Sequence, residues 1–314
     1  MKQLLTRFIG TLMCLALIVG CATVGGPTAQ ELVGETDRSD GSTIHWKLRR
    51  ASSRTPLPIL LSAQGSGCAP ARSNSNIALL ESVLPGFAVL TIEKYGVDPE
   101  VVPGDPIEGC SDAYYASHTV TRGVQDAELV LEDLRSQSLW DGRLVLFGGS
   151  EGGAVVSILS HELNDVDAVV VFSTSTGLTM RESLPMVVPP PVAKRLSDVF
   201  AEARANPESS RVFGGNSLKW WADILDRRLS DFLLKSSVPT LLVHGENDSH
   251  SPVAAARATR DAFAEAGEGN RLSYWELADR DHQMRDASGK SHLDDVLSKV
   301  ADWIRAVRLS KTDT

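Results

Sequence analysis

Short apolar runs recur along the chain and end in glycine, serine or charged residues. Such runs are typical of strands that are buried on both faces of a parallel sheet. They predict strands at residues 57–63, 87–93, 143–148, 167–173 and 238–245. A further stretch, residues 43–50, alternates polar and apolar positions, which predicts a half-exposed strand at the edge of the sheet.

Helical patterns lie between these runs. In residues 120–135 the apolar side chains recur at the three- and four-residue spacing of an amphipathic helix. Helices are predicted at residues 74–84, 120–135, 153–163, 253–266 and 293–307. Strands that alternate with helices favour an α/β fold with a mostly parallel central sheet flanked by helices, in which ligands bind at the carboxyl ends of the strands.

Three segments depart from this alternation. Residues 94–117 form a long loop with three prolines and three glycines, and long loops in compact domains are usually functional. Residues 175–236, approximately, are predicted to form a mainly helical cap over the strand ends. Residues 21–40 lack apolar periodicity and are predicted to be a flexible tether, so the folded domain is expected to span residues 41–314.

The N-terminal residues have the pattern of a secretory signal. Lys2 and Arg7 precede an apolar stretch that is too short for a stable membrane span. The residues IVGC at 18–21 resemble a bacterial lipobox, which implies removal of residues 1–20 and lipidation of Cys21. Because Ala22 follows, this resemblance implies a lipid anchor in the outer membrane, with the folded part in the periplasm. An ordinary signal peptide that happens to end beside a cysteine is the alternative.

Charge and cysteine content narrow the possible partners. Without the signal, 29 basic and 40 acidic residues remain, and a net charge of −11 argues against a nucleic-acid partner.

If Cys14 leaves with the signal and Cys21 carries lipid, Cys68 and Cys110 remain. An oxidising compartment favours a disulfide between them. Two separate buried thiols are the alternative.

One glycine-rich stretch carries the pattern of a nucleophile. Residues 148–152, GGSEG, match G-x-S-x-G between a predicted strand and a predicted helix. This context suits a tight turn that lifts the Ser150 hydroxyl above the sheet. At these residues the chain resembles the α/β-hydrolase superfamily, and the run GGSEGG is similar to its prolyl-oligopeptidase-like and dienelactone-hydrolase-like members. The resemblance implies the α/β-hydrolase fold and a nucleophilic role for Ser150.

The same resemblance places an acid and then a base after late strands of the sheet. It carries the acid role to Asp248, just beyond residues 238–245, with Glu246 as the alternative. It carries the base role to His282, in a polar loop before the last helix, with His250 as the main rival. The other histidines lie in predicted strands or helices or near their ends: His45, His118, His161, His244 and His292.

A tetrahedral intermediate also needs hydrogen-bond donors for its oxyanion. By resemblance, one donor is the N–H group of Glu151, and the second is that of Ser66 or, as second choice, Gly67. Their loop, QGSGC, is similar to the family's H-G-x-G loop but has Gln64 where histidine is common, which leaves the bracing of this loop open. With the family's strand order, a Cys68–Cys110 disulfide would hold this loop to the 94–117 loop.

The residues therefore predict a serine hydrolase that cleaves a carboxylic ester or small amide through an acyl-enzyme on Ser150. A serine peptidase acting on short peptides, and a non-catalytic envelope lipoprotein, are the alternatives. No metal-binding or dinucleotide-binding motif occurs, so neither a metal nor a cofactor is predicted. The aromatic candidates for substrate contact or packing are Trp220 and Trp221, of which at most one is expected to face the site, and Tyr95, Tyr114 and Tyr115.

Overall fold

The computed structural model describes residues 30–50 and 56–312, with side chains up to residue 307. The predicted signal, the lipidation site Cys21 and the first part of the predicted tether lie outside the described residues. In chain order the strands are β1 (Gln30–Asp37), β2 (Thr43–Arg50), β3 (Leu57–Ala63), β4 (Ala88–Ile92), β5 (Trp140–Gly149), β6 (Val166–Phe172), β7 (Val212–Phe213), β8 (Asn216–Ser217), β9 (Thr240–Gly245) and β10 (Leu272–Leu277).

Eight of these strands form one sheet in the order β1-β2-β4-β3-β5-β6-β9-β10, and β7 pairs with β8 in a small hairpin. The first two strands are antiparallel to their neighbours, whereas β4, β3, β5, β6, β9 and β10 run parallel. The carboxyl ends of these six strands therefore meet at one edge of the sheet. The loops that leave this edge carry every residue predicted for the chemistry.

Helices cover both faces of the sheet. They are α1 (Ser75–Val83), α2 (Asp112–Ser117), α3 (Val120–Ser136), α4 (Glu151–Glu162), α5 (Met180–Val187), α6 (Pro190–Ala205), α7 (Leu218–Ile224), α8 (Leu229–Lys235), α9 (Val253–Glu265) and α10 (Leu293–Thr312). Alternate residues of each strand enter opposite cores: Ile59 packs with α3 and α4, and Leu60 with α1 and α10. Among the helices that the structure describes, none has the length and apolar content needed to span a membrane.

The predicted fold class, an α/β fold with a mostly parallel sheet, is confirmed. Each predicted strand and helix is present, with its ends shifted by a few residues. Helix α4 begins at Glu151 rather than 153, because the glycines at its start hide its helical pattern. The predicted long loop 94–117 contains the short helix α2.

The predicted tether is wrong for residues 30–37, which form the edge strand β1. The core-facing residues of β1 are not a regular series of apolar side chains, because a side chain of β2 fills the space next to them. The Trp46 ring lies over Gly34, where a Cβ atom would come within 2.0 Å of it. Trp46 Nε1 also donates a hydrogen bond to Thr36 Oγ1 at 3.0 Å. Strand β2 is therefore internal to the sheet, and the prediction that it forms the edge is wrong as well.

A buried ion pair fixes this N-terminal hairpin to the body of the domain. Arg38 Nε and Nη2 donate to the two carboxylate oxygens of Asp126 on α3, at 2.6 and 2.8 Å. Both side chains are less than 5% exposed. Arg38 also donates to the carbonyl of Thr43 at 2.7 Å, which joins the start of β2 to the same helix.

We expect Asp126→Ala to lower the free energy of unfolding by about 3–5 kcal/mol, because it leaves the buried Arg38 guanidinium without its carboxylate partner. The matched control is Asp165→Ala. Asp165 pairs with Arg135 at 2.7 Å, but both side chains are more than half exposed. The control should cost less than about 1 kcal/mol. Urea unfolding followed by circular dichroism measures both values, and equal losses would contradict this account.

Candidate active site

Ser150 lies in a strained turn between the end of β5 and the first residue of α4. Its φ and ψ are 54° and −120°, a conformation that L-residues rarely adopt. The turn leaves no room for a side chain two residues before or two residues after Ser150. A Cβ on Gly148 would lie 2.1 Å from the Gly152 carbonyl oxygen, and a Cβ on Gly152 would lie 2.1 Å from that of Ala63. Two glycines of the G-x-S-x-G pattern are therefore sterically required.

Asp248 and His282 form a hydrogen-bonded pair at the same edge of the sheet. Asp248 follows β9 and His282 follows β10. His282 Nδ1 lies 2.8 Å from Asp248 Oδ2 and 3.0 Å from Oδ1. The Oδ1 atom also accepts the N–H groups of His250 and Ser251, both at 2.8 Å. Asp248 is thus held in one orientation and presents its carboxylate to the imidazole.

These contacts determine the charge of Asp248. Burial alone would raise the pKa of its carboxyl group, but the hydrogen bond from His282 and the two N–H groups outweigh burial and lower the pKa below its usual value. Asp248 is therefore ionised at neutral pH. An ionised acceptor at Nδ1 favours the imidazole tautomer with the proton on that atom, which leaves Nε2 of His282 free to accept a proton.

Ser150 and His282 line the same cavity, which encloses about 900 Å³. Among the described residues, no hydrogen bond joins Ser150 Oγ to His282. Contacts of this kind are often long without substrate and tighten in the complex. The structure thus brings Ser150, Asp248 and His282 to one edge of the sheet, with the imidazole hydrogen-bonded to the carboxylate and exposed to the cavity that contains the serine.

His250 and His244, two of the alternative bases, have other surroundings. The His250 ring packs against that of His282, with centroids 4.9 Å apart, while its backbone N–H binds Asp248. Asp248, His250 and His282 each offer a ligand atom within 4.8 Å of one another, but Asp248 is already engaged by His282 and two N–H groups. His244 is fully buried, its Nε2 lies 2.8 Å from the Ser251 carbonyl, and burial lowers its pKa.

The segments that carry the predicted oxyanion donors both adjoin the serine. The N–H of Glu151 belongs to the first residue of α4. On the other side, the loop after β3 approaches closely, since a Cβ on Gly65 would lie 3.5 Å from Ser150 Cβ. Gly67 turns towards the 94–111 segment instead, with φ of 96° and only 2.4 Å between its ideal Cβ and the Pro106 carbonyl. The N–H of Ser66 belongs to the peptide unit that follows Gly65, the residue that approaches Ser150.

A disulfide joins the two loops beside the serine. Cys68 and Cys110 are bonded, with Cα atoms 5.7 Å apart. The N–H of Cys68 also donates to the Pro106 carbonyl at 2.8 Å. The oxyanion loop is therefore held to the long loop by one covalent bond and one backbone hydrogen bond.

Sequence reasoning missed the surroundings of the Glu151 side chain, which is 2% exposed. Glu151 Oε1 accepts hydrogen bonds from Lys94 Nζ at 2.7 Å and from His118 Nε2 at 2.9 Å. His118 is buried rather than at the surface and stacks on the Tyr114 ring at a centroid distance of 4.6 Å. Nothing in the sequence pattern indicates these contacts, because Lys94 and His118 are 57 and 33 residues from Glu151.

The aromatic residues differ from expectation in part. Trp220 and Trp221 both line the cavity, so the prediction that at most one faces the site is wrong. Their rings are 4.9 Å apart and nearly perpendicular, at 88°, so adjacent positions of one short helix reach the same space. Tyr95 lies under the guanidinium of Arg38, and Tyr114 and Tyr115 are buried, so the three tyrosines pack the loop.

The cap contributes a group of apolar side chains to the cavity. Helices α5 to α8 and the β7–β8 hairpin lie between β6 and β9 in the chain, which corresponds to the predicted insertion 175–236. Their apolar lining residues are Met180, Leu184, Trp220, Trp221, Ile224 and Leu229. Polar lining residues come from the cap as well, namely Ser183, Asn216 and Arg227, and from elsewhere, including Asn74, Asn76, Gln283 and Arg285. The cavity therefore has an apolar part under the cap and polar groups at several points of its wall.

Comparisons by sequence find no relative: no protein-family model and no curated protein matches the chain. Comparisons of structure do find similar folds. Est1E from Butyrivibrio proteoclasticus has a TM-score of 0.59 at 16% identity, over 88% of this chain and 99% of the esterase. The same esterase has been solved with ferulic acid bound.

Two further solved structures extend this likeness. The esterase domain of a Rhodothermus marinus protein has a TM-score of 0.56 at 17% identity, over 88% of this chain and 98% of that domain. A puromycin-hydrolyzing peptidase from Mycobacterium tuberculosis has a TM-score of 0.61 at 15% identity, and the match covers 89% of this chain but only 39% of the peptidase. The structural neighbours are esterases and peptidases, and the chain has the α/β-hydrolase fold.

Proposed function

We propose that the protein is a serine hydrolase that cleaves a carboxylic ester through an acyl-enzyme on Ser150. One observation carries this proposal: the hydrogen-bonded pair of Asp248 and His282 opens onto the cavity that holds a serine in a strained strand-to-helix turn. A serine hydroxyl is a weak nucleophile at neutral pH and needs such a base. A non-catalytic lipoprotein would require neither the strained turn at Ser150 nor the buried carboxylate of Asp248.

The proposed reaction has two halves. Ser150 Oγ attacks the ester carbonyl while His282 Nε2 takes its proton, and the ionised Asp248 stabilises the imidazolium. The N–H groups of Glu151 and Ser66 bind the oxyanion of the tetrahedral intermediate. The intermediate then collapses to the acyl-enzyme as His282 returns the proton to the leaving alcohol. Water, deprotonated by His282, attacks the acyl group in the same way and releases the acid.

We expect a fluorophosphonate probe to label the wild-type protein and to leave Ser150→Ala unlabelled. Ser157→Ala is the matched control, because Ser157 is a fully buried serine of α4 whose hydroxyl donates to the Gly153 carbonyl at 2.6 Å. Labelling of this control should match the wild type. An unlabelled wild type, or a labelled Ser150→Ala, would refute the proposal.

Asp248→Asn should lower kcat for ester hydrolysis by about 10⁴-fold, because it removes the charge that orients and stabilises the imidazole.

The charges in the cavity favour an ester over an amino-acyl amide. Among the described residues that line it, Glu151 is the only carboxylate, and that side chain is bound to Lys94 and His118. The cationic lining residues are Arg227, which pairs with Asp223, and the exposed Arg285. A substrate with a free α-ammonium group would find no carboxylate partner here. The likeness to a puromycin-hydrolyzing peptidase keeps amide hydrolysis as the second candidate activity.

The residues of the cap favour a substrate with an apolar or aromatic acyl group. Trp220 and Trp221 present two perpendicular rings to the cavity, and rings of this size favour edge or offset contacts with another aromatic group. Ferulic acid, the ligand of the similar esterase Est1E, is an aromatic carboxylic acid. We therefore infer that the acyl group occupies the apolar part under the cap.

A substrate panel tests this choice. We expect kcat/KM for p-nitrophenyl butyrate and methyl ferulate to exceed that for alanine p-nitroanilide by roughly 100-fold or more, because an unpaired buried charge costs about 2–5 kcal/mol. Acetyl-alanine p-nitroanilide is the control. It keeps the amide bond but has no free ammonium group, so it separates the effect of the charge from the effect of the bond. Faster cleavage of the free amino-acyl amide than of both esters would identify an aminopeptidase instead.

We further propose that the mature protein is anchored by lipid on Cys21 at the periplasmic face of the outer membrane. The lipobox-like residues at 18–21 and the following Ala22 support this localisation. The Cys68–Cys110 disulfide is in keeping with an oxidising compartment.

In bacteria that express the full chain, radioactive palmitate should label the wild type and the control Cys14→Ser, whose change falls within the predicted signal. Cys21→Ser should lose the label and appear in the soluble periplasmic fraction, because the lipid provides the membrane affinity. Unchanged labelling of Cys21→Ser would rule out this anchor.

A further inference from the structure

Lys94 makes an unusual set of contacts beside the serine. It follows β4 at the carboxyl edge of the sheet, and its side chain is only 11% exposed. The ammonium group donates hydrogen bonds to the carbonyl oxygens of Gly65 and Gly67, at 2.6 and 3.1 Å, and to Glu151 Oε1 at 2.7 Å. One cation thus bonds the loop that contains Ser66 and also the residue that follows the nucleophile.

The contact with Gly65 determines the direction of the Ser66 N–H group. The carbonyl of Gly65 and the N–H of Ser66 belong to the same peptide unit, and in a trans peptide they point in opposite directions. Because the carbonyl points to Lys94, the N–H points away from it. Gly65 itself lies close to Ser150, since its ideal Cβ would be 3.5 Å from Ser150 Cβ.

The contact with Glu151 ties Lys94 to the second donor. The N–H of Glu151 is the other proposed oxyanion donor, and its buried carboxylate is the partner of the ammonium group. Burial alone would raise the pKa of Glu151, but Lys94 and His118 hold it far below its usual value, so the carboxylate is ionised. Burial lowers the pKa of His118, and its neutral ring donates Nε2–H to the same oxygen.

We propose that Lys94 is the positioning residue of the oxyanion hole. Its ammonium group holds the Gly65–Ser66 peptide and Glu151 in one arrangement, so that both N–H donors converge on the oxyanion. The positive charge next to the Gly65 carbonyl also polarises that peptide and makes the Ser66 N–H a stronger donor. This role explains how the loop is braced although it has Gln64 at the position where histidine is common. The proposal rests on the proposed function, because it assigns a role within the same reaction.

The test compares Lys94→Met with the double variant Lys94→Met/Glu151→Gln and with the control Lys299→Met. The single variant leaves a buried carboxylate without its cation, and it is expected to lose stability as well as activity. The double variant removes both charges and keeps the Glu151 N–H. Its unfolding temperature should therefore return towards that of the wild type. Lys299 is exposed on α10, and its replacement should change neither property.

For the folded double variant, kcat with p-nitrophenyl butyrate should stay lower by about 10²-fold with KM nearly unchanged, because the lost interactions act on the transition state. The inhibition constant of phenylboronic acid, which forms a tetrahedral adduct with the serine, should rise by a similar factor. Fluorophosphonate labelling at Ser150 should become slower and still go to completion, because the nucleophile and base are intact.

A purely structural role for Lys94 predicts another result. In that case kcat and the boronate inhibition constant would return to within about 3-fold of wild-type values together with the unfolding temperature. That result would overturn the proposal and leave the proposed function in place. Failure of the proposed function is distinguishable, because the wild type itself would then show no hydrolysis or labelling that depends on Ser150.

Discussion

The site depends on a backbone conformation that the sheet forces on one serine. A residue with positive φ and ψ near −120° costs of order 1–3 kcal/mol, and it persists only where the surroundings fix it. Here β5 is hydrogen-bonded to β3 and β6 on both sides, and α4 is buried along most of its length. The Ser150 N–H also donates to the Phe172 carbonyl at 2.9 Å. The turn is therefore held from both neighbouring strands and from the helix it begins.

A hydrogen-bonded carboxylate–imidazole pair and a buried ion pair flank this turn, and they have different tasks. Asp248 binds an imidazole whose charge changes during the proposed reaction, whereas Lys94 and Glu151 hold a fixed charge pair beside the backbone donors. Partly buried groups interact more strongly than exposed ones, and they leave a large penalty when one partner is removed. Asp248 and Glu151 are stabilised at this edge of the sheet because their partners come from loops that follow other strands.

The sequence was sufficient to predict the parts of the structure that follow from local patterns. Apolar runs and helical spacing determine the α/β fold, and the glycines around Ser150 are required by sterics that any chain with this turn must satisfy. The positions of Asp248 and His282 follow from the resemblance together with the rule that parallel strands end at one edge. For this reason the predicted acid and base meet in the structure.

The missed features depend on contacts between distant segments. Strand β1 has no apolar period, since Trp46 on the next strand fills the space above Gly34. The partners of Glu151 come from residues far away in the chain, and a lone lysine after a strand carries no pattern. The orientation of the two tryptophans depends on the path of the cap, which no short-range rule determines. Such features become predictable only when the packing of the whole domain is known.

The Cys68–Cys110 bond joins two positions that are 42 residues apart and closes a covalent ring, and Lys94 lies inside that ring. Cys68 directly follows Gly67, so the ring begins beside the two carbonyls that Lys94 binds. In the chain-entropy view, closing a ring of this length raises the free energy of the unfolded chain by about 4 kcal/mol. In the unfolded chain the disulfide therefore keeps Lys94 on a closed ring that starts next to the Gly65–Ser66 peptide, whereas Glu151 lies outside the ring and joins them only through folding.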